Sequence, residues 1–332
     1  NISDGESSAG HVIQAGTAET SPIPATSFSL VQAAPLTTLS VGDTMVVKNG
    51  YVQTTQGAGW SYDPETNTLT LNGLDVHYQG TSGNTLAGIF FQDLEGDAPG
   101  AVIVLEGQNS ITSTSALFGI VSYLPSLMIK GTGSLEINAG NDAIRSGSGG
   151  DQCGLIIQGC TLNVSGSGNV SSGIYASGKL ELIDANVTAT GPYYGAVGET
   201  GITVTGGELS AAATDSTGTG LYSIQAIVLK DAVVKAEATA QGSYCAISAG
   251  TGVSMTNADV TLSSQSSNAI YTWGGSVSMQ GGSLNASAPS SVVIWSKNNI
   301  TMEDADVTAS SDKDVAVFAK EGQVSASDSL LR

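Results

Sequence analysis

In GKLELIDANVTATG, residues 178–191, apolar side chains alternate up to one carboxylate, Asp184, and alternate again beyond it. The same phrase returns as VLKDAVVKA (228–236), SMTNADVTL (254–262), SMQGGSLNA (278–286) and TMEDADVTA (301–309). A lone aspartate in such a setting is either a chemical group or a residue chosen for the path of the chain. Aligning the repeats on it gives Gly107, Gly131, Gly159, Asp184, Gly206, Asp231, Asn257, Gly281 and Asp304. Only Gly, Asn and Asp occur there, the residues that most readily enter the left-handed conformation of a sharp bend. Backbone geometry therefore explains Asp184 better than catalysis or metal binding does.

Two and four residues before each bend stand apolar pairs, among them Leu180 and Leu182, Ile227 and Leu229, Val253 and Met255, and Ile300 and Met302. After the bend come Val187 and Ala189, Val234 and Ala236, Val260 and Leu262, and Val307 and Ala309, with polar residues between them. Each run reads as a strand with one buried face. A third short strand opens each unit, as in GIYA at 173, GLYS at 220, AIYT at 269 and VIWS at 293, and it recurs roughly every 22 to 30 residues, the period of a solenoid. Such strands bury their apolar faces only when the coils stack. The expected fold is all-β: a right-handed, single-stranded parallel β-helix of about ten three-strand coils, its hand following the preference of parallel crossovers.

The totals agree with stacked, extended backbone. Only 12% of the 332 residues are charged, and 43 are glycine. The 29 acids against ten bases give a net charge of −19, which excludes nucleic acid and anionic membrane surfaces as partners, because both require a basic footprint. No run of eighteen apolar residues is present, so membrane insertion is not expected. Cys153, Cys160 and Cys245 are too few and too scattered for a disulfide framework and read as buried thiols.

At the ends, residues 1–37 lack a strand period and are expected to form a flexible leader. Residues 38–58 read as an N-terminal hairpin cap turning at Asn49-Gly50, which would shield the open edge of the first coil. The β-helix is expected over 59–328, with 329–332 as a tail.

The stretches GWSYDPETNTLTLNG (59–73), IVLEGQNSIT (103–112) and LMIKGTGSLEI (127–137) resemble secreted β-helical surface proteins of anaerobic bacteria. Those proteins are commonly labelled carbohydrate-binding domain-containing and are related in architecture to pectate lyases. The resemblance implies a right-handed β-helix, an extracellular or cell-surface location in a bacterium, and polysaccharide or calcium binding. It supplies no catalytic residue.

The residues themselves offer three chemistries. Arg145, in AIRS, is the only arginine before Arg332 and has Asp142 three residues earlier and Lys130 and Lys179 in neighbouring coils, so it is the one candidate base for a calcium-dependent polysaccharide lyase. No carboxylate pair of the kind hydrolysis requires accompanies it. With only His11 and His77 in the chain, no Ser-His-Asp set can be assembled. For a metal, QDLEGDAPG places Asp93, Glu95 and Asp97 at alternate positions in a loop that could curl around calcium, and Asp304, Asp306 and Asp259 form a weaker grouping. Finally, with Ile174, Leu221, Ile270, Ile294 and Val317 facing inward, Tyr175, Tyr222, Tyr271, Trp295 and Phe318 face outward, and Trp273 follows two residues after Tyr271. Rigid amphipathic rings in a stripe can stack on sugar rings and bond hydroxyls. The expected function is thus non-catalytic glycan binding. The alternative is a structural or adhesin stalk that contacts other surface proteins.

Overall fold

The computed structural model describes residues 11–12 and 31–332, apart from 81–85, 95, 97, 116 and 149–151. Its described residues form strands, turns and bends with no helix, arranged as a parallel β-solenoid of about nine turns. Three long sheets run along the solenoid, two of thirteen strands and one of eleven. The first contains the outward-aromatic strands, such as Ser172–Ala176, Thr219–Ser223 and Ile270–Thr272. The second contains the strands that approach the bend, such as Leu180–Ile183 and Ala226–Lys230. The third contains the strands that leave it, such as Asn186–Gly191 and Val233–Ala238.

Every residue in the aligned bend column has a positive φ, between 48° and 126°. Gly73 and Asp328 extend that column by one coil at each end, with φ of 76° and 49°. From Ile157 onward the inward residues that flank the bend keep one spacing, as in Ile157 and Leu162, Leu182 and Val187, and Val204 and Leu209, so these coils stay in register, whereas the bends from Ile103 to Asn109 and from Ile129 to Leu135 are one residue longer. Leu180 pairs with Ile202, Ile202 with Ile227 and Ile227 with Val253, and the third sheet behaves alike through Val187, Leu209, Val234 and Val260. The apolar pairs before the bends are all buried, at 3% exposure or less. Burying a Leu, Ile or Val side chain stabilises by about 1.5–3 kcal/mol, so these inward files supply the main driving force.

The bend files also constrain their neighbours. A Cβ on Gly206 would run into the Asp184 carboxylate of the preceding coil, and one on Gly281 would meet Asn257 Oδ1 at 2.6 Å. Where two side chains do follow each other, they bond: Asn257 Nδ2 donates to Asp231 Oδ1 at 3.2 Å.

The amino-terminal end is closed by antiparallel strands. Thr44–Lys48 and Tyr51–Val52 turn on Asn49 and Gly50, whose φ values are 52° and 78°, and Thr38–Val41 pairs antiparallel with Ala87–Gln92 of the first sheet. A second hairpin lies within the span assigned to the coils. Trp60–Asp63 runs antiparallel to Thr68–Asn72, and parallel pairing begins only with the latter strand. Its turn is locked by Asn67, which is buried with φ of 49°; Tyr62 Oη donates to Asn67 Oδ1 at 3.0 Å and Asn67 Nδ2 donates to the Gly100 carbonyl at 2.6 Å. At the other end, Leu330–Leu331 pairs with Asp306–Val307 and extends the third sheet, so 329–332 is not a tail outside the solenoid. Of the expected leader, residues 1–10 and 13–30 lie outside the described residues, and His11–Val12 pairs antiparallel with Val31–Gln32. The three cysteines are buried thiols.

If Asp184 serves the bend, Asp184→Gly retains stability within about 1 kcal/mol. Asp184→Val, a β-branched residue forced into the left-handed region, loses roughly 1–2 kcal/mol or more in urea denaturation. A loss from Asp184→Gly as large as that from Asp184→Val would assign the carboxylate another role.

Candidate functional site

The outward file of the first sheet is continuous in register. Arg145 pairs with Tyr175, Tyr175 with Val197, Val197 with Tyr222, Tyr222 with Ser248, Ser248 with Tyr271, Tyr271 with Trp295 and Trp295 with Phe318. Outward does not mean exposed along its whole length. Phe90 and Val121 form a small apolar cluster with Ala87, flanked by Phe118 and Tyr123, and Val197 is 1% exposed. The rings are half-buried except Phe318, which is 42% exposed.

The burial comes from the rings themselves. The centroids of Tyr194 and Tyr222 lie 5.0 Å apart with planes 27° from parallel. Trp273 lies 6.0 Å from Tyr222 at 21° and 6.2 Å from Tyr271 at 33°, bridging the coil in which the file carries Ser248. Tyr271 then stacks 4.7 Å from Trp295 at 39°. A Cβ at Gly250 would collide first with the Ile224 carbonyl of the preceding coil and would also meet Trp273 Cζ2 at 3.0 Å, so the glycine accommodates both the backbone and the ring. Parallel strands stand about 4.8 Å apart, close to the stacking distance of aromatic rings, so a vertical file of aromatics becomes a stack without distortion.

Beside this stack lies a groove of about 340 Å³, lined by Tyr193, Tyr194, Tyr222, Tyr244 and Tyr271 with Thr219, Cys245, Ser248, Ser267 and Asn268. Its size falls in the range of small-ligand sites. Ser248, 8% exposed, lies where the file lacks a ring. Tyr244, 54% exposed, stands on a short turn tied by its N–H donating to the Gly218 carbonyl at 3.0 Å and by its own carbonyl accepting from Ser264 Oγ at 2.8 Å. Tyr193 packs edge-on against Tyr194 at 4.4 Å. Tyr193, Tyr194 and Tyr244 were missed by a reading centred on the first strand. Their signals are GPYYG (191–195) and GSYCA (242–246), which put Tyr193 and Tyr244 in the corner before the strand and Tyr194 at its first position.

Three phenols of this surface, those of Tyr222, Tyr175 and Tyr194, are shifted upward. Burial raises the pKa of Tyr222 above its ordinary value, with the charge of Glu199 adding to it. Burial likewise raises Tyr175, and the hydrogen bond it donates to Glu199 Oε1, 2.6 Å long, adds to the shift. Burial raises Tyr194 as well, followed by its hydrogen bond with Tyr193.

Arg145 does not have the freedom of a base. Its Nη1 donates to Asp142 Oδ2 at 2.7 Å, and its guanidinium lies 4.4 Å from the Tyr175 ring centroid and 5.8 Å from that of Phe118. Asp142 is buried and also accepts from the Ser172 N–H at 2.6 Å, so the ion pair fastens one corner of the coil to the next. Lys179 pairs with Glu181 at 2.6 Å.

Of the loop acids, Asp93 Oδ2 accepts from the Ala98 N–H at 2.9 Å, and Glu95 and Asp97 lie outside the described residues. Asp259 accepts from Ser283 Oγ at 2.7 Å, and Asp306 lies 3.7 Å from Arg332. Among the described residues, no group of three or more His, Cys, Asp or Glu side chains could hold a metal ion. No helix there is long and apolar enough to cross a membrane. No family model, curated protein or solved structure matches the chain.

In a native alkaline titration followed by tyrosinate absorbance, part of the signal should lag behind that of the denatured chain, for which ionisation centres near 10. Because the folded values are raised, their contribution to stability is complete below pH about 10 and is lost as pH climbs through the folded values. Coincident native and denatured curves would contradict the burial of these phenols.

Proposed function

We propose that this protein is a non-catalytic carbohydrate-binding β-helix, secreted or displayed on a bacterial cell surface, that takes a glycan in the tyrosine-lined groove beside its aromatic stack. The observation that carries the reading is the groove: five tyrosines and a set of hydroxyl and amide side chains converge on one concave surface built on rigid strands. Tyrosine suits this task because its ring covers the apolar face of a sugar and its hydroxyl bonds the sugar's own. A protonated phenol donates as well as accepts, so each tyrosine can match a sugar hydroxyl in either sense.

The stack and the groove divide the work. Tyr175, Tyr222, Tyr271, Trp273, Trp295 and Phe318 were expected to offer ring faces to a ligand, but the faces of Tyr222, Trp273, Tyr271 and Trp295 lie against one another. Of these four only Tyr222 and Tyr271 line the groove, and the contact falls to them together with Tyr193, Tyr194 and Tyr244. The same mutual stacking favours a second reading, a structural or adhesin stalk in which the aromatic file stiffens the rod and meets other surface proteins. A lyase reading has nothing to support it once Arg145 is committed to Asp142.

Tyr244→Ala combined with Tyr193→Ala should weaken binding to a recognised polysaccharide at least tenfold in affinity gel electrophoresis, or roughly 1.4 kcal/mol, while the far-ultraviolet circular dichroism stays unchanged. Full retention of binding in that variant would remove the groove from the account. Absence of binding to any polysaccharide would leave the stalk.

A further inference from the structure

Every residue that lines the tyrosine groove is uncharged at neutral pH. On a chain with 29 acids and ten bases, that is a local property with a consequence for ligands. A uronate-bearing or sulfated glycan entering the groove would find no lysine or arginine to pair with, and would lose the hydration of its charge without compensation. The nearest described basic group in the outward file, Arg145, lies at the far side of Tyr175 and is occupied by Asp142.

A charge that acts on the groove wall is of the wrong sign for an anion. Glu199 accepts from Tyr175 and follows the strand Tyr194–Gly198 that supplies one wall of the groove. Burial first and the Glu199 charge second act on Tyr222, so the carboxylate's field reaches the groove wall. Hydroxyl and amide groups at Thr219, Ser248, Ser267 and Asn268 donate and accept alike, which matches sugar hydroxyls and offers nothing specific to a carboxylate.

We infer that the groove selects uncharged glycans and excludes acidic ones, a selectivity set by its neutral lining and by Glu199 at its margin. The inference rests on the carbohydrate-binding reading above and narrows its substrate class. It also separates the protein from calcium-bridged recognition of polyuronates, which needs either cations or convergent acids at the contact surface.

The test uses the full chain against two sets of soluble polysaccharides in affinity gel electrophoresis and calorimetry. One set is neutral: mixed-linkage β-glucan, xyloglucan, galactomannan and arabinoxylan. The other is acidic: polygalacturonate and alginate, each with calcium added and with calcium withheld. At least one neutral polymer should bind ten times or more tighter than either acidic polymer, with an affinity that changes less than twofold between low and physiological salt. Glu199→Gln, which keeps an acceptor for Tyr175, should narrow the gap by tightening the binding of the acidic polymers, and an unchanged gap would remove Glu199 from the inference. Acidic polymers binding as well as or better than neutral ones, in either calcium condition, would overturn the inference while leaving carbohydrate binding intact. No binding to either set would overturn both.

Discussion

The whole molecule depends on one backbone constraint: each coil must pass from the second sheet to the third through a residue with positive φ. Gly, Asp and Asn meet that demand at every aligned position, from Gly107 to Asp304. From Ile157 onward a bend of constant length keeps the coils in register, and register is what turns scattered apolar residues into files such as Leu180, Ile202, Ile227 and Val253. The recurring aspartates are thus part of the fold's bookkeeping of direction, and their carboxylates have little else to do.

The aromatic stack is the same constraint expressed on the outer face. Coil spacing and ring-stacking distance coincide, so any two aromatics in neighbouring coils of one file come into contact. Tyr271 and Trp295 do so directly. Where Ser248 interrupts the file, Trp273 reaches back from two residues beyond Tyr271 to bridge the gap, and Gly250 leaves it room. The interruption leaves a small residue between two tyrosines, and the groove opens there with Tyr244 at its rim.

Much of this was legible in the residues. The three strands per coil, the bend column and the inward files follow from alternation and from the Gly, Asn and Asp restriction, and the outward aromatics follow from the inward set. What alternation could not reveal was lateral packing. Val121 and Val197 face outward yet are buried, because neighbours on the same sheet face cover them. Asp142 was visible three residues before Arg145 in sequence, but that it binds the guanidinium follows only from the corner geometry. Of the tyrosines that complete the groove, Tyr193 and Tyr244 sit in corners, where no period applies, and Tyr194 is the first residue of its strand. The second capping hairpin was hidden for a similar reason: TLTLN alternates like any coil strand, and only the Asp63–Thr68 turn, held by Asn67, reverses the chain ahead of it.

The central claim, vertical files of side chains in consecutive coils, is tested most directly by cross-linking. Ser254 and Ser278 are register partners on the outer face of the second sheet, and Thr301 follows Ser278 in the same file one coil further on. Cysteines at 254 and 278 stand about 4.8 Å apart and fall within disulfide reach, whereas cysteines at 254 and 301 stand two coil steps apart, beyond the roughly 7 Å limit. Mild oxidation should close the first pair rapidly without changing the circular dichroism and should leave the second pair reduced. Equal cross-linking of both pairs, or none in the first, would contradict the stacked files on which the groove and its ligand depend.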